Sequence, residues 1–395
     1  MRGIRIGSAF GIPIKLDLTF LLVLPLFAWL IGSDVGNLVT VLNDVFGVAM
    51  PVEALTAGSV PWVLGGAAAT GLFLCVLLHE FGHSLVAMRY GYQIDSITLW
   101  LFGGVARFTE MPENWKQEFT IAVAGPIVSV ALGVLSYLAF LVVPGSLPPA
   151  KFVLAYLAMT NVALAVFNML PGFPMDGGRV LRALLARTRP HARATQIAAE
   201  VGKLFAVVLA IVGLFANLFL IALAFFIYIG ASSEAQQTVM KAAFQDVTVA
   251  DVMTPVTELD TVTADTSLSA LTDRMFRERH TGYPVMRGGS LVGMVTLDDT
   301  REVRDVERDA YRVEDVMATE LVSIAPSADA MDAISTMQRE GVGRLPVVDD
   351  TGALVGLISR TDLMTVFDII QTRGTAAGGE TGFDRLSNDA DFARR

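Results

Sequence analysis

His79-Glu80-Phe81-Gly82-His83 sets two imidazoles four residues apart, with a carboxylate directly after the first. On a helix, residues i and i+4 share a face, so both rings can bind one tetrahedral zinc while the glutamate stands beside them as a general base. The chain has only 4 histidines, so the pattern is hard to meet by chance. Residues 63–85 carry no other charged side chain, and ionisable groups in hydrocarbon are costly unless they bind something or line a wet cavity. A buried His/Glu hydrogen-bond cluster is the alternative. Arg89 marks a polar edge ten residues past His79, which places the motif about 15 Å below that edge at 1.5 Å per residue.

A catalytic zinc takes three protein ligands and keeps a fourth position for water. After His83 the next carboxylates are Asp95, Glu110, Glu113 and Glu118, all in connecting sequence and none at the depth of the histidines. Asp176 suits better. It closes the stretch Asn168-Met-Leu-Pro-Gly-Phe-Pro-Met-Asp176, in which Pro171 and Pro174 break an apolar helix near its polar end, while Gly172, Gly177 and Gly178 supply turning freedom. Irregular backbone at membrane depth survives only where protein or water covers it, so a carboxylate in such a break can reach a metal held by the second span. An Asx-turn or helix cap ahead of an arginine-rich loop is the other role open to Asp176.

The HEFGH motif in an apolar helix, Phe102-Gly-Gly-Val-Ala106 downstream, Ala124-Gly-Pro126 in the third apolar run and residues 168–178 at the end of the fourth together resemble the site-2 protease family of intramembrane zinc metalloproteases. The resemblance covers about residues 1–236. It implies one zinc per chain on His79, His83 and Asp176, water activation by Glu80, and substrate positioning by Asn168. It also implies regulated intramembrane proteolysis of membrane-protein substrates. An intact transmembrane helix hides its carbonyls in i to i−4 bonds, so a substrate must unwind and find new backbone partners. Residues 97–105, a β-prone run ending in Gly103-Gly104, offer a strand edge for that purpose; an ordinary interfacial loop is the alternative. No connecting loop is long enough for the PDZ domain that many family members carry.

The elements that must position these groups are apolar helices. The chain has 395 residues, of which 53% are hydrophobic, with a mean hydropathy of +0.56, too apolar for an ordinary soluble protein. Runs long enough to cross about 30 Å of hydrocarbon occur at 16–32, 62–88, 118–143 and 152–170, and a longer one at 196–234 is one tilted helix or two that turn near residues 213–217. Six spans are expected, the first an uncleaved helix behind Arg2, Arg5 and Lys15. Basic residues stay cytoplasmic. Those three, then Arg89, Arg107 and Lys116, then Arg179, Arg182, Arg187, Arg189 and Arg193 put the N-terminus and the C-terminal half in the cytoplasm, while 33–61, with no Lys or Arg, lies outside. The expected location is the cell membrane, with lipid as a partner.

Residues 1–240 carry a net +1 and residues 241–395 a net −11, so the chain divides near residue 240. The second half repeats itself at a period of about 63 residues. Asp251-Val-Met253 recurs as Asp315-Val-Met317, residues 275–284 align with 337–346, and residues 291–299 with 354–362. Each unit reads as strand, helix, strand, strand, helix, and the two pair. They resemble tandem CBS domains, α/β modules that commonly bind adenine nucleotides and that define a branch of the site-2 proteases. The resemblance implies nucleotide contacts by Thr296 with Asp299 and by Ser359 with Asp362; capping of the last helix of each unit is the alternative. The expected domains are 1–236 for the protease, 246–304 and 312–371 for the CBS units, and a disordered tail at 372–395. A homodimer through the CBS pair is a further expectation.

No basic excess exists that could neutralise a phosphate backbone, so nucleic-acid binding is set aside. The one cysteine, Cys75, cannot form an intrachain disulfide and reads as a small buried hydrophobe. His191 and His280 read as solvated surface groups. Two other functions compete with the protease: a CBS-regulated transporter or channel, which should show inverted repeats that the membrane half lacks, and a membrane-anchored zinc peptidase acting on cytoplasmic or lipidated peptides, which needs its motif nearer the surface.

Overall fold

The computed structural model describes residues 3–100, 103–108, 112 and 114–376. The chain divides between Thr238 and Val239 into two compact units. In the first, strands β1 (Ile4–Ala9) and β2 (Ile12–Leu16) precede helices α1 (Phe20–Ser33), α2 (Val35–Phe46), α3 (Val52–Thr56) and α4 (Val60–Arg89). Strands β3 (Ile94–Trp100) and β4 (Gly103–Phe108) follow, then helices α5 (Trp115–Val142), α6 (Pro148–Asn168), α7 (Asp176–Ala186), α8 (His191–Ala216) and α9 (Leu218–Ala243).

Among the described residues five helices, α4, α5, α6, α8 and α9, are long and apolar enough to cross a membrane. The expected first span differs. Its helix α1 has 14 residues, too few to cross alone, and bends by 71° into α2 at Asp34, so a sixth span exists only if the bent pair counts as one. Arg5 and Lys15 face each other across the β1/β2 hairpin and are not a simple basic flank. Residues 35–46 form an amphipathic helix whose Val35, Val39 and Leu42 are buried against Leu64 of α4, Phe140 of α5 and Phe152 of α6. The apolar run at 196–234 resolves into two helices broken at Asn217, whose side chain accepts from the Phe219 N–H at 2.8 Å.

Side chains such as Val142, Phe215 and Leu218 point away from the protein, as expected where lipid is the solvent. Lipid provides little hydrophobic drive for helices to associate, so they pack through small residues that let backbones approach. Gly82 of α4 is such a point: a Cβ there would lie 3.0 Å from the Ala124 carbonyl oxygen of α5. The apolar cluster around Phe140 and Phe152 fills one end of the bundle, which leaves the other end, where α4 finishes and α5 begins, to the polar groups.

Four strands form one sheet in the order β1-β2-β3-β4, with β2 and β3 parallel and the other pairs antiparallel. Residues 97–105 are thus split between two strands, and Gly103-Gly104 opens β4 instead of ending β3. Beyond Trp100 the φ of +126° at Gly103 is one that only glycine adopts freely. β4 is the terminal strand of the sheet.

The second unit contains α10 (Val249–Val252), β5 (Thr254–Pro255), β6 (Val262–Thr263), α11 (Leu268–Glu278), β7 (Gly282–Arg287), β8 (Ser290–Thr296), α12 (Leu297–Arg301), α13 (Val313–Val316), α14 (Ala330–Glu340), β9 (Arg344–Val348), β10 (Leu354–Ser359) and α15 (Arg360–Ala376). Two three-stranded sheets form, β6-β7-β8 and β5-β10-β9. The repeats are intertwined and not merely adjacent. β5, from the first repeat, joins the sheet of the second, and Ala318 bridges Met294 of the first. The repeated methionines explain the exchange: a Cβ on Gly356 would lie 2.6 Å from the sulfur of Met253, and one on Gly293 2.6 Å from that of Met317. Each repeat thus packs its methionine on the glycine of the other. Helix α15 runs to Ala376, so residues 372–376 of the expected tail are helical, and residues 377–395 lie outside the described residues.

Candidate metal centre

Near its C-terminal end α4 carries His79 and His83, both 3% exposed. Their Nε2 atoms are 3.2 Å apart. The Oδ2 atom of Asp176, the first residue of α7, stands 3.2 Å from Nε2 of His79 and 3.1 Å from Nε2 of His83. Three tetrahedral donors at ordinary zinc distances lie about 3.3 Å from one another, so the spacing is that of a metal's ligand set.

The far side of each ring is held by a partner on α5. His83 Nδ1 lies 2.7 Å from the Ile121 carbonyl oxygen, an acceptor only, so Nδ1 donates and Nε2 of the neutral ring presents a bare lone pair. His79 Nδ1 is 2.8 Å from the hydroxyl of the fully buried Ser129. Two imidazole nitrogens and a carboxylate oxygen therefore converge on one place, each able to offer a lone pair to a cation. The donor set of two imidazoles and one carboxylate fits zinc.

Backbone supplies the space. Gly125 of α5 lies directly under the rings: a Cβ there would sit 2.2 Å from His83 Nε2 and 2.6 Å from His79 Nε2. Pro126 follows inside the same helix. The loop before α7 is folded on itself so tightly that a Cβ on Gly177 would meet the Leu170 carbonyl at 2.2 Å, and one on Gly178 the Gly172 carbonyl carbon at 2.5 Å. These contacts explain the Asp176-Gly-Gly sequence. Glu80 projects from the face of α4 toward β4, where a Cβ on Gly104 would lie 2.4 Å from Glu80 Cγ. Asn168 closes α6, eight residues before Asp176.

Several contributors were not legible as site residues. Ser129 and the Ile121 carbonyl orient the rings from α5, and only a helix-face calculation relative to Gly125 could have flagged Ser129. Arg179, one of the basic residues assigned to a cytoplasmic loop, lies over the ring of Phe108 in β4, 5.6 Å from its centroid. Arg182, another, is 3% exposed and bonds Glu118 and Glu234. His191 is not a solvated group: its Nε2 is buried 3.6 Å from Oε2 of Glu118. His280 is exposed, as expected.

In the second unit, Thr296 N–H and hydroxyl both donate to Asp299 Oδ2 at 2.7 Å, and Ser359 does the same to Asp362 at 2.9 and 2.8 Å. Each pair therefore caps the helix that follows. A cation lies nearby that the sequence reading passed over. Arg344 donates to the Thr281 hydroxyl at 2.6 Å, beside Gly282, which pairs with Thr296. Burial pulls its guanidinium below the usual arginine range.

A unit of helices long and apolar enough to cross a membrane, whose interior gathers two imidazoles, a carboxylate and an adjacent glutamate, has the side-chain set of a metal-dependent hydrolase. Comparison with known proteins specifies the class. Residues 67–153 and 148–209 match Peptidase family M50, and residues 249–304 and 313–368 match the CBS domain. A zinc metalloprotease of Methanocaldococcus jannaschii is 32% identical over 373 residues, 94% of this chain and 97% of that one. Rip3 of Mycobacterium tuberculosis is 31% identical over 98% of both chains. The solved site-2 protease of M. jannaschii is 32% identical, covers 59% of this chain and 95% of its own, and superposes with a TM-score of 0.40. The chain belongs to the site-2 protease family, Peptidase family M50, with two CBS domains. It is an integral membrane zinc metalloprotease of regulated intramembrane proteolysis, and the transporter reading falls.

Proposed function

We propose that His79, His83 and Asp176 hold the catalytic zinc, that Glu80 carries the proton, and that the unwound substrate lies along β4. The carrying observation is the convergence of three potential ligand atoms at 3.1 to 3.2 Å. A zinc bound there would polarise a water and the scissile carbonyl. Glu80 accepts the proton of the attacking water and delivers it to the leaving amine nitrogen. Glu80 and β4 meet at Gly104, so a peptide added to the terminal strand passes the general base with its carbonyls in register. Gly103 and Gly104 keep that edge free of side chains, and Asn168 supplies an amide at the end of α6 for a further backbone bond.

The protease domain is assigned to residues 1–236 and the CBS units to 246–304 and 312–371, with the N-terminus and CBS pair in the cytoplasm of a cell-membrane protein, as the basic connections favour. An adenine nucleotide is the CBS ligand in this reading. Support comes from Arg344, a half-buried cation beside Thr281 and close to the cap pair Ser359/Asp362. Its phosphates would face Arg344, and the second carboxylate oxygens of Asp299 and Asp362 would take ribose hydroxyls.

The test is direct. Full-length protein in detergent should contain one zinc per chain and cleave at least one of a panel of single-span substrates. Glu80→Gln should keep the metal and lose the cleavage, whereas a wild-type protein free of zinc, or an active Glu80→Gln, would defeat the reading. Titration of ATP and AMP should give binding that Arg344→Ala weakens.

A further inference from the structure

The three residues that lead into Asp176 are each gripped by α9 or by a side chain bonded to it. Met175 is buried against Ile227 of α9. Pro174 lies on Gly230, where a Cβ would meet its ring at 2.8 Å. Phe173, 2% exposed, packs on Ala231, and the guanidinium of Arg182 lies over its ring at 5.0 Å. That guanidinium bonds Glu234 of α9 at 2.5 Å through Nη1 and Glu118 of α5 at 2.6 Å through Nε. Ile227, Gly230, Ala231 and Glu234 follow the i, i+3, i+4, i+7 spacing of one helix face.

We infer that Arg182 and Glu234 are positioning residues for Asp176: together with Gly230 they fix the loop 173–175 on one face of α9 and so set where the Asp176 carboxylate meets the two imidazoles. The inference rests on Asp176 being a zinc ligand. A buried arginine is held in one place only while its carboxylates accept from it, because a guanidinium offers its donors in a rigid fork. Glu118 ties the fork to the helix that carries Ser129 and the Ile121 carbonyl, and Glu234 ties it to the helix that seats the loop. The pair therefore registers α7 against both helices at once. Removing a support of this kind behind a metal ligand typically costs 10- to 100-fold in metal affinity or activity.

The experiment measures the rate of zinc release from the full-length, zinc-loaded protein to a coloured chelator, alongside kcat and KM. Glu234→Gln keeps the shape and removes the charge at a residue 29% exposed on its side chain, so the variant should fold. Gly230→Ala pushes on Pro174 without altering any charge. Each is expected to release zinc at least about tenfold faster and to lower kcat, with KM within about twofold of wild type. Glu234→Asp should recover part of the loss. Phe225→Leu, at a side chain that points away from the protein on the same helix, should leave release unchanged. Release at the wild-type rate from folded Glu234→Gln would overturn the inference, as would equal acceleration by Phe225→Leu. Asp176→Asn separates this claim from its premise. If it leaves zinc release untouched, the ligand assignment fails; if it accelerates release while Glu234→Gln does not, only the positioning role fails.

Discussion

The candidate metal centre and the cap pairs of the CBS domains are both built from a few polar residues, yet they differ in whether the local helix accounts for them. Thr296 and Ser359 donate to Asp299 and Asp362 three residues on, and the local helix accounts for the pattern. At the candidate metal centre the side-chain ligand atoms of His79, His83 and Asp176 come from two different helices and face one another at 3.1 to 3.2 Å. Local structure explains the first arrangement, whereas the second joins Asp176 to residues 97 and 93 positions away at the spacing of a metal's ligand set. A pattern accounted for by its own helix can be kept for stability alone; one that gathers distant ligand atoms calls for a function.

The comparison predicts unequal responses to substitution. Glu80→Gln should retain zinc and lose about 10²- to 10⁴-fold in turnover, the range for a general acid–base group, checked by single-turnover cleavage. Gly125→Ala should displace the rings and lower zinc occupancy in protein that still folds, read by metal analysis after gel filtration; full occupancy would mean that α5 can retreat. Ser129→Ala frees His79 to turn and should weaken zinc by about 10-fold or more in a chelator competition. The smallest effect belongs to the cap. Asp299→Ala should cost about 1 kcal/mol locally, visible as faster hydrogen exchange at the first amides of α12 with zinc content unchanged. If it instead abolishes nucleotide binding without faster exchange, the cap pair serves the ligand first.

The sequence disclosed the candidate metal centre more readily than its supports. His79, Glu80 and His83 share one helix turn, so their spacing is chemistry in itself, and Asp176 could be singled out because prolines and glycines announce a broken helix at its door. Ser129, by contrast, is a serine in an apolar helix. Its role depends on how α5 rotates against α4, which only the approach at Gly82 and Gly125 settles. Arg182 was misplaced for a related reason. A basic residue in an arginine-rich stretch ordinarily faces water, and its burial depends on Glu118 and Glu234, 64 and 52 residues away. The first span was legible only in part, because hydropathy reports apolar length and cannot see that α1 bends by 71° into α2 at Asp34. The repeat in the second unit was plain at its period, but the strand exchange through Met253 and Met317 was not, since both partners lie in identical motifs.

X-ray absorption at the zinc edge tests the central claim most directly. The full-length protein should show zinc with two imidazole nitrogens and a carboxylate oxygen in its first shell, and Asp176→Ala should lose that oxygen or the metal itself. An unchanged shell in Asp176→Ala, at full occupancy, would contradict the account.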